Sequence, residues 1–278
     1  MQKINKVYVK KHLPGRPDDS YKNLNGRVLI AAGSADMPGA AVLCARACYA
    51  AGAGLVTLAA PKPVYNAAVN AVPQAIILDL PGSHAAAVKK IVSHNKKTPH
   101  DLMIIGPGLG AAAGAMFKLL AAAKLPAVID ADALNYLAQT SPRNLAKNIP
   151  YILTPHTGEM RRLLKTQDIN SKSAAKLAKI TGAVCLLKGP GTIVSGGGKT
   201  MQNTTGNSGL AKAGSGDILT GIIAGIWAQM PPQKSFEAAA LGVWLHGAAA
   251  DQAVKKTGKL SLMAEDVLAA LPLILKKL

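Results

Sequence analysis

Short apolar runs alternate with longer helical patterns through most of this chain of 278 residues. Seven such runs follow one another: GRVLIAAG, LVTLAAP, AIILDL, DLMIIGPG, PAVIDAD, YILTP and AVCLLKG. Helical stretches of about ten to fifteen residues lie between them, as expected of helices that connect parallel strands. The pattern predicts an α/β fold, a three-layer α/β/α sandwich with a mainly parallel central sheet, and places the site in the loops that follow the strands.

The alternation stops after AVCLLKG. The next segment, TIVSGGGKTMQN, predicts a hairpin with a glycine-rich turn, and helices are expected at about 215–230, 235–257 and 264–278. No linker rich in Pro or Ser divides the chain. We therefore expect one domain over residues 26–278, preceded by a polar, loosely attached lead over residues 1–25.

Composition limits the classes of function. The formal charge of +18 and the pI near 9.9 suit an anionic partner. Basic residues are nevertheless spread over the whole chain, and the aromatic content of 4% leaves few rings for stacking bases. A phosphate-bearing small molecule explains the charge equally well, so we expect no nucleic-acid partner.

Cysteine usage and hydropathy indicate the compartment. The three cysteines lie in apolar surroundings, which is typical of reduced core residues in a cytoplasmic protein. No apolar run reaches the roughly 20 residues that a membrane-spanning helix needs. We expect a cytoplasmic protein without a membrane partner.

The stretch LAKAGSGDILTGIIAG places a single carboxylate, Asp217, where an apolar helix begins. Gly214, Ser215 and Gly216 would form the first turn, whose unpartnered amides and dipole attract anions. Ser, Asp and Gly are also ordinary residues at helix starts, so this stretch alone leaves a simple cap and a base beside a phosphate equally open.

Two glycine motifs point to other nucleotide sites. GPGLGA, residues 106–111, fits a dinucleotide fingerprint, with Asp130 at the required distance, and suggests a nicotinamide-dependent dehydrogenase. Pro107 would remove an amide that this turn needs, and the preceding strand is the fourth rather than the first. GGGKT, residues 196–200, imitates the end of a P-loop, but Ile193 stands where the first glycine is required.

Two further strand ends carry polar groups. TPHTGE supplies His156, which could donate to a phosphate or substrate oxygen, and Glu159, which could hold Mg²⁺ or complement the helix dipole. KGPGT supplies Lys188 and a flexible backbone that could surround a nucleotide. Taken alone, a histidine in this position is more often structural than ligand-binding, and a lysine at a strand end is commonly just solvated.

Taken together, an ordered set of blocks resembles the ADP/ATP-dependent (S)-NAD(P)H-hydrate dehydratase family of the ribokinase-like superfamily. The blocks are GRVLIAAGS, PGAAVL, GPGLG, VIDADALN, TPHTGEM, LLKGPGT, TTGNSGLAKAGSGDILTGIIAG and LHGAAAD, and they extend over about residues 26–251. The resemblance implies a ribokinase-like α/β/α sandwich. It also implies a lyase that repairs hydrated nicotinamide cofactors, converting (S)-NADHX or (S)-NADPHX to NADH or NADPH with ADP or ATP as phosphoryl donor and Mg²⁺ as cofactor.

The resemblance also implies a distribution of roles. Asp217 would be the catalytic base. The hydrate-side residues would be Gly39, Ala40, Ala41, Gly108, His156 and Asp217, and the nucleotide-side residues would be Lys188, Gly189, Pro190, Gly191, Thr192, Gly214, Ser215 and Gly216. Glu159 is the candidate Mg²⁺ ligand. The resemblance further implies a homotetramer and a separate NAD(P)HX epimerase as functional partner.

Two other functions stay open at this point. A vitamin or sugar kinase of the same superfamily would share Asp217 and the anion site at the helix start, but would release a stable phosphorylated product. A nucleotide-sensing or nucleic-acid-binding protein would exploit the charge of +18 and would bind without Asp217. Neither alternative predicts the TPHTGE and KGPGT blocks.

Overall fold

The computed structural model describes residues 1–278 and contains one ten-stranded sheet. The strands are β1 (Gln2–Ile4), β2 (Arg27–Ala31), β3 (Leu55–Ala60), β4 (Ile76–Asp79), β5 (Leu102–Ile105), β6 (Ala127–Ile129), β7 (Tyr151–Leu153), β8 (Val184–Leu187), β9 (Ile193–Gly196) and β10 (Lys199–Asn203). Their order across the sheet is β1-β10-β9-β8-β7-β6-β5-β2-β3-β4. Only β9 runs antiparallel to its neighbours, which confirms the mainly parallel sheet.

Eleven α-helices accompany the sheet. They are α1 (Lys6–His12), α2 (Pro38–Ala50), α3 (Lys62–Ala71), α4 (His84–Lys97), α5 (Ala113–Ala123), α6 (Ala131–Thr140), α7 (Thr157–Leu164), α8 (Ser173–Thr181), α9 (Ser215–Trp227), α10 (Ser235–Ser261) and α11 (Ala264–Leu275). The three helices predicted after the hairpin are thus confirmed as α9, α10 and α11. No helix of the protein is both long and apolar enough to cross a bilayer.

The sheet separates two hydrophobic cores. Successive residues of β2 point to opposite faces, so that Val28 and Ile30 join one core while Leu29 and Ala31 join the other. Helices α2, α3, α9, α10 and α11 cover the first face, and α4 to α8 cover the second. The three layers therefore form the predicted α/β/α sandwich, with both faces of the sheet removed from water.

The expectation of a loosely attached lead over residues 1–25 is wrong for its first half. β1 pairs parallel to β10 and extends the sheet, while α1 packs beside α10. Ile4 and Val9 are completely buried. β1 has only three residues and α1 only seven, which is too short for a periodic signal in the sequence, and long-range packing determines the structure.

Helix α9 approaches α2 unusually closely. A Cβ atom added to Gly221 would lie 2.5 Å from the carbonyl oxygen of Cys44, and one added to Gly225 would lie 2.5 Å from that of Cys48. Only glycine permits such contact between two helix backbones. The predicted catalytic end of α9 is thereby fixed against the start of α2.

The GGGKT segment is a hairpin turn between β9 and β10. Gly197 and Gly198 both have positive φ values, 55° and 76°, as a two-residue turn of this kind requires. Lys199 and Thr200 then belong to a strand rather than to a helix start. The predicted hairpin is confirmed, and the P-loop alternative is excluded.

Candidate functional site

The carboxyl ends of strands β6, β7 and β8 lie next to the start of α9 at one edge of the sheet. Asp130 follows β6, His156 follows β7 and Lys188 follows β8, and an isolated parallel bridge joins His156 to Lys188. The structure thus brings together two strand-end residues that the sequence singled out, and it adds Asp130. This convergence is the expected position for a site in an open parallel sheet.

Asp130 and Lys188 form a buried ion pair at the centre of this edge. The Nζ atom of Lys188 lies 2.8 Å from Oδ1 of Asp130, and the hydroxyl of Thr220 donates to Oδ2 at 2.8 Å. Burial lowers the pKa of Lys188, but the carboxylates of Asp130 and Glu159 oppose this effect, and the net pKa is raised. The ammonium group therefore stays charged and has a defined position.

Asp217 lies in the first turn of α9, close to this pair. Burial raises its pKa to about 7, the charge of Asp130 adds to the increase, and Lys188 opposes it. A carboxylate that titrates near neutral pH can accept a proton far more readily than an ordinary aspartate. The environment of Asp217 thus suits the predicted role of catalytic base.

The start of α9 is open to an anion. Gly214 precedes the helix with a left-handed φ of 84°, and no side chain caps the exposed amides of the first turn. A Cβ atom added to Gly216 would lie 3.6 Å from Nζ of Lys188. The amides and the ammonium group therefore face the same small volume, which combines the two usual means of holding a phosphate.

Ser215 contacts a buried histidine of α10. Nε2 of His246, on α10, lies 3.4 Å from the Ser215 hydroxyl oxygen. Burial, together with the charge of Lys188, lowers the pKa of His246 to about 4. The imidazole is therefore neutral at physiological pH and supports the first turn of α9 without adding charge.

His156 caps α7. Its Nδ1 atom accepts hydrogen bonds from the amides of Gly158 at 2.9 Å and Glu159 at 3.4 Å, while Glu159 accepts from the His156 amide at 2.8 Å. Burial lowers the pKa of His156, and Lys188 and Arg162 contribute. The ring is neutral, with its proton on the half-exposed Nε2 atom, which leaves that atom able to donate to a ligand.

Glu159 is a capping residue in this structure. One carboxylate oxygen accepts the His156 amide and the other lies 3.5 Å from Nε2 of the same residue. Burial raises the pKa of Glu159, against the effect of Lys188. No group of three acidic, histidine or cysteine side chains converges closely enough to form a metal site.

The remaining hydrate-side residues also lie together. Gly108 has φ 62°, and a Cβ atom added there would lie 2.9 Å from that of Ala40. The loop after β5 therefore packs directly on the start of α2, which carries Gly39, Ala40 and Ala41. Ala41 is completely buried, whereas Gly39 has open space around it.

This loop is not a dinucleotide-binding turn. It leads into a short 3-10 helix over Gly110–Ala112, and the amide of Gly110 donates to Asp132 at 2.8 Å. Asp130, which the fingerprint would assign to a ribose, is engaged by Lys188 and Thr220. The dehydrogenase alternative is therefore excluded.

The KGPGT segment forms the exposed turn between β8 and β9. The hydroxyl of Thr192 donates to the carbonyl of Gly189 at 3.0 Å and closes the turn. Gly189 and Gly191 have positive φ values of 157° and 66°. The predicted nucleotide-side residues of this segment thus continue directly from Lys188, but they lie outside the buried centre.

Sequence reasoning missed Asp130 and Thr220 as site residues. Asp130 ends the run PAVID and was considered only as part of the dinucleotide alternative, although its position after a buried strand was a usable signal. Thr220 lies inside an apolar helix, and nothing in its pattern distinguishes it from a core threonine. Asp251 was also missed: its carboxylate accepts from the amide of Gly206 and from Asn207 and holds the loop before α9.

Known proteins resemble this chain in sequence. The profile of the NAD(P)H-hydrate dehydratase family matches residues 28–273. The bifunctional NAD(P)H-hydrate repair enzyme Nnr of Moorella thermoacetica is 41% identical over 284 residues, which cover 98% of this chain and 53% of the relative. The ADP-dependent (S)-NAD(P)H-hydrate dehydratase of Neisseria meningitidis is 39% identical over 87% of this chain and 82% of its own length.

The fold agrees with these relatives. The crystal structure of the ADP/ATP-dependent NAD(P)H-hydrate dehydratase of Bacillus subtilis, co-crystallised with ATP and Mg²⁺, superposes with a TM-score of 0.87 at 30% identity and covers 99% of this chain and 98% of its own. This confirms the ribokinase-like fold class. The chain spans about half the length of the bifunctional relatives that it matches. It belongs to the NAD(P)H-hydrate dehydratase family.

Proposed function

We propose that this protein dehydrates (S)-NADHX and (S)-NADPHX to NADH and NADPH, using ADP or ATP as phosphoryl donor. The observation that carries the proposal is the position of Asp217, whose pKa of about 7 suits a base, in the same helical turn as an uncapped anion site. Membership of the family supplies the reaction class. The proximity of Asp217, Lys188 and the first turn of α9 supports the proposal.

The first step would be phosphoryl transfer to the hydroxyl of the hydrated ring. Asp217 accepts the hydroxyl proton as the oxygen attacks the terminal phosphorus, and the bond from that phosphorus to the nucleotide breaks. Lys188 and the amides of the first turn of α9 stabilise the charge on the transferring oxygens. Asp130 and Thr220 act as positioning residues, because they hold the Lys188 ammonium group.

The second step would be elimination of phosphate. The C–O bond of the phosphorylated hydrate breaks and its electron pair leaves with the phosphate, a proton passes from the neighbouring ring carbon to the departing phosphate or to water, and the electrons of that C–H bond restore the carbon–carbon double bond of the dihydronicotinamide. Hydroxide is a poor leaving group and phosphate a good one, so the nucleotide changes the leaving group while the oxidation state of the ring stays constant. The net products are the reduced cofactor, inorganic phosphate and a nucleotide with one phosphate fewer.

The residues present fit a nucleotide-borne Mg²⁺ ion. Such an ion keeps several waters and takes one or two carboxylates besides phosphate oxygens, so a three-ligand protein site is not required. Glu159 has one carboxylate oxygen that is only weakly engaged, 3.5 Å from Nε2 of His156. Glu159 would hold the ion, which when bound neutralises charge on the phosphoryl group.

The direct test mixes purified protein with NADHX and Mg²⁺, with ADP and ATP in parallel reactions. Return of the reduced-nicotinamide absorbance with either nucleotide supports the proposal and identifies the donor; reactions without nucleotide and with chelator are the controls. Absence of recovery with folded protein would contradict it. A stable phosphorylated product from a hydroxylated vitamin or sugar would then favour the small-molecule kinase.

Three wider assignments are part of the proposal. An epimerase activity on a separate protein would convert the R epimer of the hydrate, the protein would assemble as a homotetramer, and it would act in the cytoplasm. Size-exclusion chromatography with light scattering tests the assembly, and a monomer at working concentration would contradict it. Addition of an epimerase to a racemic hydrate should raise the extent of recovery from about half towards completion.

A further inference from the structure

A cationic groove lies between α6 and α7, beside the site described above. It has a volume of about 830 Å³ and is lined by eight residues, among them Asn135, Arg161, Arg162 and Lys165. Only one of these eight residues is hydrophobic. A cavity with such a lining suits a polar, anionic ligand rather than an apolar one.

The cations of the groove lack direct acidic partners, although the charge of Arg162 acts on the Glu159 carboxyl and opposes the rise of its pKa. None of Arg161, Arg162 and Lys165 forms an ion pair, although the protein contains pairs elsewhere. Arg162 is held in place, because its Nε atom donates to Oδ1 of Asn135 at 3.0 Å. This contact leaves the two terminal nitrogens of the guanidinium group for a ligand, and a fixed guanidinium fork matches the oxygens of a phosphate.

Arg162 connects the groove to both sides of the hydrate-side site. Towards α7, it lies close enough to His156 to lower the pKa of that residue. Towards α6, Asn135 contacts Asp132 at 3.5 Å, and Asp132 accepts from the amide of Gly110 in the loop that carries Gly108. Contacts of the groove lining therefore lead to His156 on one side and to the loop that carries Gly108 on the other, whereas the KGPGT turn lies after β8.

We propose that this groove binds a phosphate of the hydrated dinucleotide, with Arg162 and Arg161 as the principal contacts. The inference rests on the proposed function for the identity of the ligand. A dinucleotide hydrate has two sources of phosphate chemistry, the pyrophosphate present in every form and the additional phosphate of the NADPHX ribose. The nicotinamide end reaches Asp217, and the adenosine end extends along α6 and α7.

The test measures binding of the stable reduced cofactors, so that it does not depend on turnover. NADPH, NADH and ADP are titrated by calorimetry into the wild type, Arg162→Gln, Arg161→Gln and the matched control Arg143→Gln, an exposed arginine outside the groove. We expect Kd for NADPH to rise about tenfold in Arg162→Gln, as for loss of one charge-assisted phosphate contact, while ADP binding and Tm stay close to those of the wild type.

The three ligands distinguish the outcomes. A loss for NADPH alone assigns the groove to the ribose phosphate, and an equal loss for NADPH and NADH assigns it to the pyrophosphate; both support the proposal. A loss confined to ADP, or equal losses in Arg143→Gln, would overturn it, as would unchanged affinities. If the cofactors bind as expected while the protein fails to dehydrate NADHX, the groove assignment holds and the proposed function fails.

Discussion

The ammonium group of Lys188 lies 2.8 Å from a carboxylate oxygen of Asp130 that is almost completely removed from solvent. A buried charge is tolerated only with a partner, so each residue of this pair depends on the other. Both residues also act on Asp217: the charge of Asp130 raises its pKa, and the charge of Lys188 lowers it. The protonation state of the proposed base is therefore linked to groups that need not touch the substrate hydroxyl.

Replacement of Asp217 by Asn should abolish dehydration while leaving nucleotide binding intact. Asparagine keeps the shape of the side chain but cannot accept the hydroxyl proton, and general bases typically contribute about 100-fold or more to a rate. Steady-state kinetics and calorimetry with ADP would measure the two properties separately. Turnover within a few-fold of the wild type would contradict the assignment of the base.

The activity of the wild type should rise with pH through about 7. Asp217 acts in its deprotonated form, and its pKa of about 7 means that this form disappears as the pH falls below that value. The measurement is the pH profile of kcat/KM over the pH range in which the protein stays folded. A profile that is flat from roughly pH 5 to 8 would show that no group with a pKa of about 7 controls the reaction.

Asp130→Asn should move that profile to lower pH and reduce stability. Removal of the Asp130 charge removes one cause of the raised pKa of Asp217, and it leaves the Lys188 ammonium group without its partner. Breaking a buried pair costs roughly 3 kcal/mol. Thr220→Val is the control, because it deletes a hydrogen bond to Asp130 but keeps the charge; a shift of equal size in both variants would refute the electrostatic explanation.

Substitutions of His156 can separate its capping role from a ligand-binding role. His156→Ala loses the cap of α7, which typically costs about 1 kcal/mol, whereas Asn is a favourable capping residue. We expect His156→Asn to retain the Tm of the wild type but to show a raised KM for the hydrate, because the Nε2 donor is absent. Full activity of His156→Asn would assign this residue to structure alone.

Gly221→Ala should destabilise the protein and lower its activity. The added Cβ would lie 2.5 Å from Cβ of Ala47 and from the carbonyl oxygen of Cys44, so α9 must move away from α2. Overpacking of this kind costs about 1–3 kcal/mol. Gly15→Ala is the matched control, since no atom lies within 4 Å of the new methyl group. Thermal unfolding of both variants measures the difference, and equal Tm values would contradict the close packing.

The architecture could be predicted from the sequence because strands that are buried on both faces leave a recognisable apolar pattern. Buried parallel strands appear as short apolar runs, and all seven runs are strands of the sheet. The helix starting at Ser215 was also predicted, since its apolar run is long. β1 was missed because only Ile4 of its three residues is buried, which leaves no pattern to detect.

The site could be predicted only where residue type and strand end coincided. His156, Lys188 and Asp217 each follow an apolar run or open a helix, and the structure brings them to one edge. The hydrogen bond from Thr220 to Asp130 joins residues 90 positions apart in the chain. The partnership of such residues depends on the way α9 packs across the sheet, which no local pattern encodes.

The pairing of β1 with β10 has a consequence for the order of folding. Gln2 lies opposite Met201, so almost two hundred further residues must be synthesised after β1 before its neighbour in the sheet exists. Pairings so distant along the chain form slowly, because the entropy of closing the loop must be overcome first. Until then the edge of β10 is unpaired, so the strand of the sheet that is synthesised first is among the last to find its partner.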